Sequence, residues 1–263
     1  MNRPVKLFIV EGADRDYRFI TRMTETFFSG KYEAKVICLP AQRNIYMLYR
    51  ILKDDNFETD FVELIRDNIP DAEGVLANIE RQSIDEIFLF FDYDVHQENL
   101  PKGSDSVAVL QEMLDTFNNE TENGKLYISY PMIEAIYDYR KGECQSFSIC
   151  FVGLQEMRNY KKLAGEGNPN ANRNLRIEDW KAILAAFYLR IKCLFDRENL
   201  DYKWYKENAT VDRIHSAQRE FFDDGKGVFV LSALPEFLFD YFKVPFWNSH
   251  THGKKRKFEC CEK

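Results

Sequence analysis

Apolar and polar positions follow two different rhythms along the chain. Lys6-Leu-Phe-Ile-Val10 is an apolar run of strand length, and Glu11-Gly12 follow it at once. From Asp14 the spacing changes: Phe19, Ile20, Met23 and Phe27 recur at helical intervals, with Asp14 placed as an N-cap and Gly30 as the stop. Val36-Ile-Cys-Leu39 reads as a second strand ended by Pro40, and Ile45, Leu48, Tyr49 and Leu52 as the next helical stripe. Residues 59–82 read as two short helices divided at Pro70. Ile87-Phe-Leu-Phe-Phe91 is apolar on both faces, as in the central strand of a parallel sheet, and runs directly into Asp92-Tyr93-Asp94. A helix (Val107, Leu110, Met113, Leu114, Phe117), a polar turn at 118–124 and a strand at Leu126-Tyr-Ile-Ser129 complete an alternating order. That order calls for a parallel sheet with right-handed crossovers.

After Pro131 the pattern is mainly helical. Residues 164–174, with Gly165, Gly167, Pro169 and four asparagines, read as a linker or loop. A long helix follows, with Trp180, Ile183, Leu184, Phe187, Ile191 and Leu194 on one face, then a shorter one with Val211, Ile214 and Phe221. Gly227-Val-Phe-Val-Leu231 reads as a late strand, and Pro235 as the start of a short closing helix. The expected organisation is an α/β domain over residues 1–133, a mainly helical region over 134–249 packed on it, and a flexible basic tail over 250–263.

The chain has 263 residues, 45% hydrophobic and 15% aromatic, enough to bury one large core or one core with a satellite. No stretch approaches the roughly 18–20 apolar residues of a membrane span, and the N-terminus lacks signal-peptide anatomy. The six cysteines (Cys38, Cys144, Cys150, Cys193, Cys260, Cys261) lack paired metal-ligand spacing and read as buried, reduced thiols of a cytoplasmic protein. Cys260-Cys261 with His250 and His252 read as a disordered tail more readily than as a zinc site. A net charge of −7 argues against a general nucleic-acid-coating protein. It leaves room for a nuclease, whose metal-holding acids add negative charge of their own.

The candidate chemistry lies at strand ends. In open α/β sheets ligands bind beyond the carboxyl ends of the strands, where Glu11 and the Asp92/Asp94 pair are expected. If the two strands are neighbours, three carboxylates converge, and such a group implies a divalent cation. Oxygen-only ligands suit Mg²⁺ or Mn²⁺. Gly12 leaves room for a phosphate at the turn into the first helix, whose N-terminus attracts anions.

Phe8-Ile-Val-Glu11-Gly12, followed by Phe-Phe-Asp92-Tyr-Asp94-Val-His96, resembles the two signature motifs of the TOPRIM fold. That fold is shared by topoisomerases, primases, recombination proteins and the overcoming-lysogenization-defect nucleases. The resemblance implies a TOPRIM-like parallel sheet flanked by helices, with Glu11 as general acid/base and metal-holding group and Asp92 and Asp94 as Mg²⁺ ligands. A closer likeness is to the small TOPRIM proteins encoded beside ATPases in bacterial phage-defence and abortive-infection loci. It is carried by His96 and by Ser129-Tyr-Pro131-Met-Ile-Glu134, and it covers roughly residues 5–140. It implies a metal-dependent endonuclease cutting DNA or RNA, tRNA included, that acts as a toxic effector restrained by a partner ATPase. A homodimer formed on release, which would bring two basic stretches around 158–181 together, is a separate expectation. The family places a second acid four residues after the glutamate; here Arg15 stands there, between Asp14 and Asp16, which leaves one of the two, or neither, as a ligand.

The remaining candidates carry functional and structural readings. Glu134, on a helix expected to start at Pro131, either supports a second metal or is a solvated first-turn acid. His96 orients an aspartate, touches phosphate or is a surface residue, and His215 reads as structural. Arg158, Lys161, Lys162, Arg173, Arg176 and Lys181, interleaved with Tyr160 and Trp180, suit a nucleic-acid backbone or a solvated helix face. Lys161, Lys162, Arg173 and Arg176 are the leading candidates for gripping phosphate. Two rival readings remain: a non-catalytic TOPRIM module that binds an ATPase, and a haloacid-dehalogenase-like phosphatase with Asp92 as nucleophile and Asp223-Asp224 as distal metal pair.

Overall fold

A computed structural model describes residues 3–28, 30, 32–39, 45–93, 106–138, 150–166, 168, 171 and 174–251. The chain divides into two compact units, residues 1–127 and 128–263. The division falls ahead of the 133/134 boundary expected from the pattern.

Six consecutive buried residues, Val5–Val10, form β1. A strand buried on both faces needs its backbone groups paired on both edges, and β1 has parallel neighbours on each. β2 (Glu33–Cys38) runs beside it from Val5↔Glu33 to Val10↔Cys38, and β3 (Ile84–Asp92) on the other side up to Val10↔Phe90. With β5 (Gly124–Ser129) and the two-residue β4 (Asn118–Asn119), they make a five-stranded, mostly parallel sheet in the order β2-β1-β3-β5-β4. Rings from adjoining strands pack side by side: Phe8 lies 5.5 Å from Phe88, and Phe90 stacks 5.6 Å from Tyr127.

The helical stripes form as expected. α1 (Arg15–Phe27) buries Phe19, Ile20 and Met23, and α2 (Ile45–Asp54) buries Ile45, Leu48, Tyr49 and Leu52. Pro70 divides α3 (Phe61–Asn68) from α4 (Pro70–Leu76), occupying the first turn, where its missing N–H costs nothing. Asp60 caps α3, its carboxylate accepting from Val62 N at 2.9 Å. α5 is Ser106–Thr116. The polar stretch 118–124 is more ordered than a plain turn. β4 pairs antiparallel with the start of β5, and Asn119 Oδ1 accepts from Thr121 N (3.1 Å) and Thr121 Oγ1 (2.9 Å).

One charge inside this unit has no hydrophobic signal. Lys6 is 2% exposed, and its ammonium bonds Asp85 at 2.7 Å and Glu86 at 2.5 Å. Burial opposes its charge, but the two hydrogen-bonded carboxylates outweigh that and hold its pKa above the ordinary lysine value.

In the second unit, β6 (Phe151–Val152) pairs antiparallel with β7 (Val228–Phe229), the late strand shortened to two residues. The helices are α6 (Leu154–Met157), α7 (Tyr160–Gly165), α8 (Ile177–Leu194), α9 (Tyr202–Asn208), α10 (Val211–Asp223) and α11 (Ala233–Thr251). α9 has no counterpart among the elements expected from the pattern. Its Tyr205 joins an aromatic core with Trp247 at 4.7 Å, and Trp247 lies 4.8 Å from Phe239. The closing helix starts two residues before Pro235 and is longer than expected, with a break at Lys243 (φ 59°) just ahead of Pro245. Among the described residues no helix is long and apolar enough to cross a membrane.

Two glycines in these units behave oppositely on substitution. Gly227 has φ +132°, and a Cβ there would stand 1.9 Å from the Val152 carbonyl oxygen, whereas a Cβ on Gly74 of α4 meets nothing within 4 Å. Gly227→Ala is therefore expected to destabilise by about 1–3 kcal/mol or more. Gly74→Ala should be neutral or stabilise by up to about 1 kcal/mol. Urea unfolding of the two variants checks the contrast.

Candidate functional site

The parallel register of β1 and β3 brings two of the expected acids to one edge of the sheet. The last registered pair is Val10↔Phe90. Glu11 is one residue beyond Val10, in the bend that leaves β1, and Asp92 is the last residue of β3. Both are half-buried, and the Asp92 Oδ1 atom is fully covered. The strands are neighbours and the two acids share their carboxyl-terminal side, as the pattern requires. Asp94 and His96 lie outside the described residues.

The turn into α1 places Asp14 and Asp16 differently. Asp14 occupies the N-cap position but is exposed, and its side chain makes no cap hydrogen bond. The expectation of a carboxylate cap fails because Asp14 has helical backbone angles (φ −104°, ψ −76°) rather than the extended ones a capping side chain needs. Asp16 is 8% exposed, and its carboxylate lies where a Cβ on Gly12 would be, 2.5 Å from Oδ2. Gly12 therefore admits an acid from the first turn of α1 against the residue that follows Glu11. The sequence holds Gly12 and Asp16 in view but cannot show that they touch.

Glu11, Asp16 and Asp92 present oxygen donors only, the chemistry preferred by Mg²⁺ or Mn²⁺. Among the described residues, no three His, Cys, Asp or Glu side chains are grouped so as to hold a metal ion. Among the described residues, Glu11, Asp16 and Asp92 therefore do not by themselves form a metal-holding group.

Glu134 belongs to the second unit. It lies in a 3-10 turn, Ile133–Ile136, rather than an α-helix starting at Pro131, and is 2% exposed, so it is not a solvated first-turn acid. It is one of a group of buried charges. Tyr160 Oη donates to Asp138 Oδ2 at 2.9 Å, and Arg190 donates from Nη1 to the Val230 carbonyl at 2.9 Å and from Nη2 to the Asp138 carbonyl. Burial pushes the Tyr160 hydroxyl pKa well above its ordinary value, and the negative charges of Asp138 and Glu134 add to this against Arg190. Tyr160, expected beside a nucleic-acid surface, is 2% exposed, and Trp180 is fully buried, so neither ring is available for base stacking.

The expected gripping residues divide. Lys161 and Lys162 are exposed on α7. Arg176 is exposed at the head of α8, with Nε 3.6 Å from Asp179 Oδ2. Arg173 lies outside the described residues. Asp223 ends α10 and Asp224 caps it, paired with Arg219 (3.1 Å) and Lys226 (3.0 Å); they do not follow a strand. Cys38 and Cys150 are buried free thiols, whereas Cys193 is disulfide-bonded, against the expectation that all six cysteines are reduced.

No protein-family model, no curated protein and no solved structure matches this chain.

His215, on α10, is buried beneath Tyr130, whose hydroxyl lies 3.2 Å from Nδ1. Burial, reinforced by the nearby Arg219 charge, lowers its pKa to about 4. The unfolded chain takes up this proton below pH of about 6.5, and the native state does so only near its lower value. The stabilising contribution is therefore complete above pH of about 6.5 and is lost as pH falls through the native pKa, by roughly 3 kcal/mol in total. Denaturation midpoints across this range should fall faster for the wild type than for His215→Gln. Parallel curves would mean that the imidazole titrates alike in both states.

Proposed function

We propose that this chain is a TOPRIM-type, metal-dependent phosphodiester nuclease whose working acids stand at the ends of β1 and β3. The observation that carries the reading is the placement of Glu11 and Asp92 at the carboxyl ends of two adjacent parallel strands. That is the side on which open α/β sheets bind ligands. The motif resemblance around Glu11-Gly12 and Asp92-Tyr-Asp94 supports the same assignment. Asp92 and Asp94 would hold Mg²⁺ or Mn²⁺ together with Glu11, and Asp16 stands in for the acid missing at Arg15. A divalent cation supplies positive charge for the phosphate and activates a water or hydroxyl. Glu11 moves the proton, as a half-buried carboxylate beside a reacting phosphate is suited to do. The Asp16 carboxylate approaches the backbone at Gly12, and a Cβ there would displace it.

The substrate is DNA or RNA, tRNA included. An acidic strand edge in a chain of net charge −7 repels a polyanion, so positive charge for binding must come from elsewhere. Lys161 and Lys162 are the exposed pair on α7 suited to this. A broad nuclease would harm its own cell, so the reading includes restraint by a partner ATPase in a phage-defence setting, as the motif resemblance implies.

Glu11→Gln and Asp92→Asn should each lower cleavage of labelled plasmid, single-stranded DNA or tRNA in Mg²⁺ or Mn²⁺ by about 10²- to 10⁴-fold, with unchanged melting. Gly12→Ala should leave the fold intact and reduce cleavage by displacing Asp16. Equal cleavage by the wild type and all three variants would remove the strand-end acids from the chemistry. A chain that cleaves nothing but still binds an ATPase would be a binding module instead.

Lys161→Glu with Lys162→Glu should weaken nucleic-acid binding without moving the cut site. The slope of log affinity against log salt should fall by about 0.7–0.9 for each phosphate no longer neutralised. Binding measured in a Glu11→Gln background at several salt concentrations decides this; an unchanged slope assigns the pair to solvent.

A further inference from the structure

The two edges of the sheet are closed differently. β4, at one edge, is two residues long and pairs only with Gly124 and Lys125 of β5. β2, at the other, is six residues long and in unbroken register with β1. In a parallel ladder, alternate residues address opposite neighbours. Glu33 N donates to the Pro4 carbonyl at 3.1 Å and Leu39 N to the Val10 carbonyl at 2.8 Å. The odd-numbered residues therefore face β1, and Ala34 and Val36 turn their N–H and C=O groups away from it. Both line an open groove of about 570 Å³, with Tyr17 and Thr21 of α1 and Gly74 and Val75 of α4. Among the described residues, no atom lies within 4 Å of where a Cβ on Gly74 would stand.

We propose that β2 is a self-association edge, on which a second copy of this chain pairs its own β2 antiparallel about a two-fold axis at Ala34. Charge selects both the partner and the register. With Ala34 opposite Ala34 of the second copy, each exchanges both of its outward backbone groups, the narrow pair of an antiparallel ladder. Glu33 then stands opposite Lys35 of the second copy, and Lys35 opposite its Glu33, two opposite-charge pairs in the position where side chains approach closest. Within one chain these residues already attract, with Lys35 Nζ 2.8 Å from Glu33 Oε1. Centring the axis on Lys35 would set two ammonium groups face to face. Centring it on Val36 would set Lys35 against Ile37 and Glu33 against Leu39. A strand reading Glu-Ala-Lys is its own antiparallel complement, which makes a second copy the fitting occupant. This inference rests on the β2 edge alone and is independent of the strand-end acids.

Sedimentation of the full chain over a range of concentrations tests it. The wild type should show a monomer–dimer equilibrium. Ala34→Pro removes an outward N–H and leaves the ladder to β1 intact, so it should yield a folded monomer. Lys35→Glu and Glu33→Lys each place like charges opposite one another twice, and each should weaken the dimer roughly tenfold or more. Mixing those two variants restores both opposite-charge pairs, so a heterodimer should form where neither variant pairs with itself, a result that misfolding cannot mimic. A wild type that stays monomeric would overturn the proposal. So would a dimer indifferent to the charge variants, or a mixture that fails to rescue association.

Discussion

The parallel pairing of β1 with β3 is the constraint on which the first unit depends. Both strands are apolar on both faces, so neither can remain at a solvent-facing edge without leaving backbone groups and large side chains in water. Pairing them solves both problems, and it ranks Phe8, Phe88 and Phe90 in one contiguous layer. The same register brings Glu11 and Asp92 to one edge, because each acid directly ends its apolar run. Packing thus sets the spacing of the acids.

Charge in this protein is placed where the backbone leaves no alternative. Lys6 stays charged inside the unit because Asp85 and Glu86 reach it from the start of β3. In the second unit, Arg190 serves two backbone carbonyls, Asp138 and Val230, and Gln218 bonds both the N–H and C=O of Phe229 at 2.8 and 2.9 Å. These side chains satisfy the irregular chain around the two-stranded sheet, which is too short to pair its own surroundings. Tyr160 belongs to this buried polar interior, which separates it from the exposed Lys161 and Lys162 beside it in sequence.

The features facing solvent follow a different logic. A long unbulged edge is an aggregation hazard unless something covers or specifies it. The alternating charges of β2 are a means of specification, since they favour one partner in one register over indiscriminate sheet extension.

The sequence by itself determined the α/β order, the apolar runs that become β1 and β3, the break at Pro70, and Glu11 and Asp92 at strand ends. These are local consequences of period, proline chemistry and the abrupt end of an apolar run. Only the tertiary structure decided that Asp16 rather than Asp14 turns inward, because that choice depends on the backbone angles at the head of α1 and on the space Gly12 leaves. It also decided that Glu134 sits buried in a 3-10 turn and that Tyr160 and Trp180 are core residues. A basic or aromatic residue looks the same in sequence whether its neighbours in space are water or a second helix. Burial is a property of contacts between distant segments, and periodicity within one segment does not encode it.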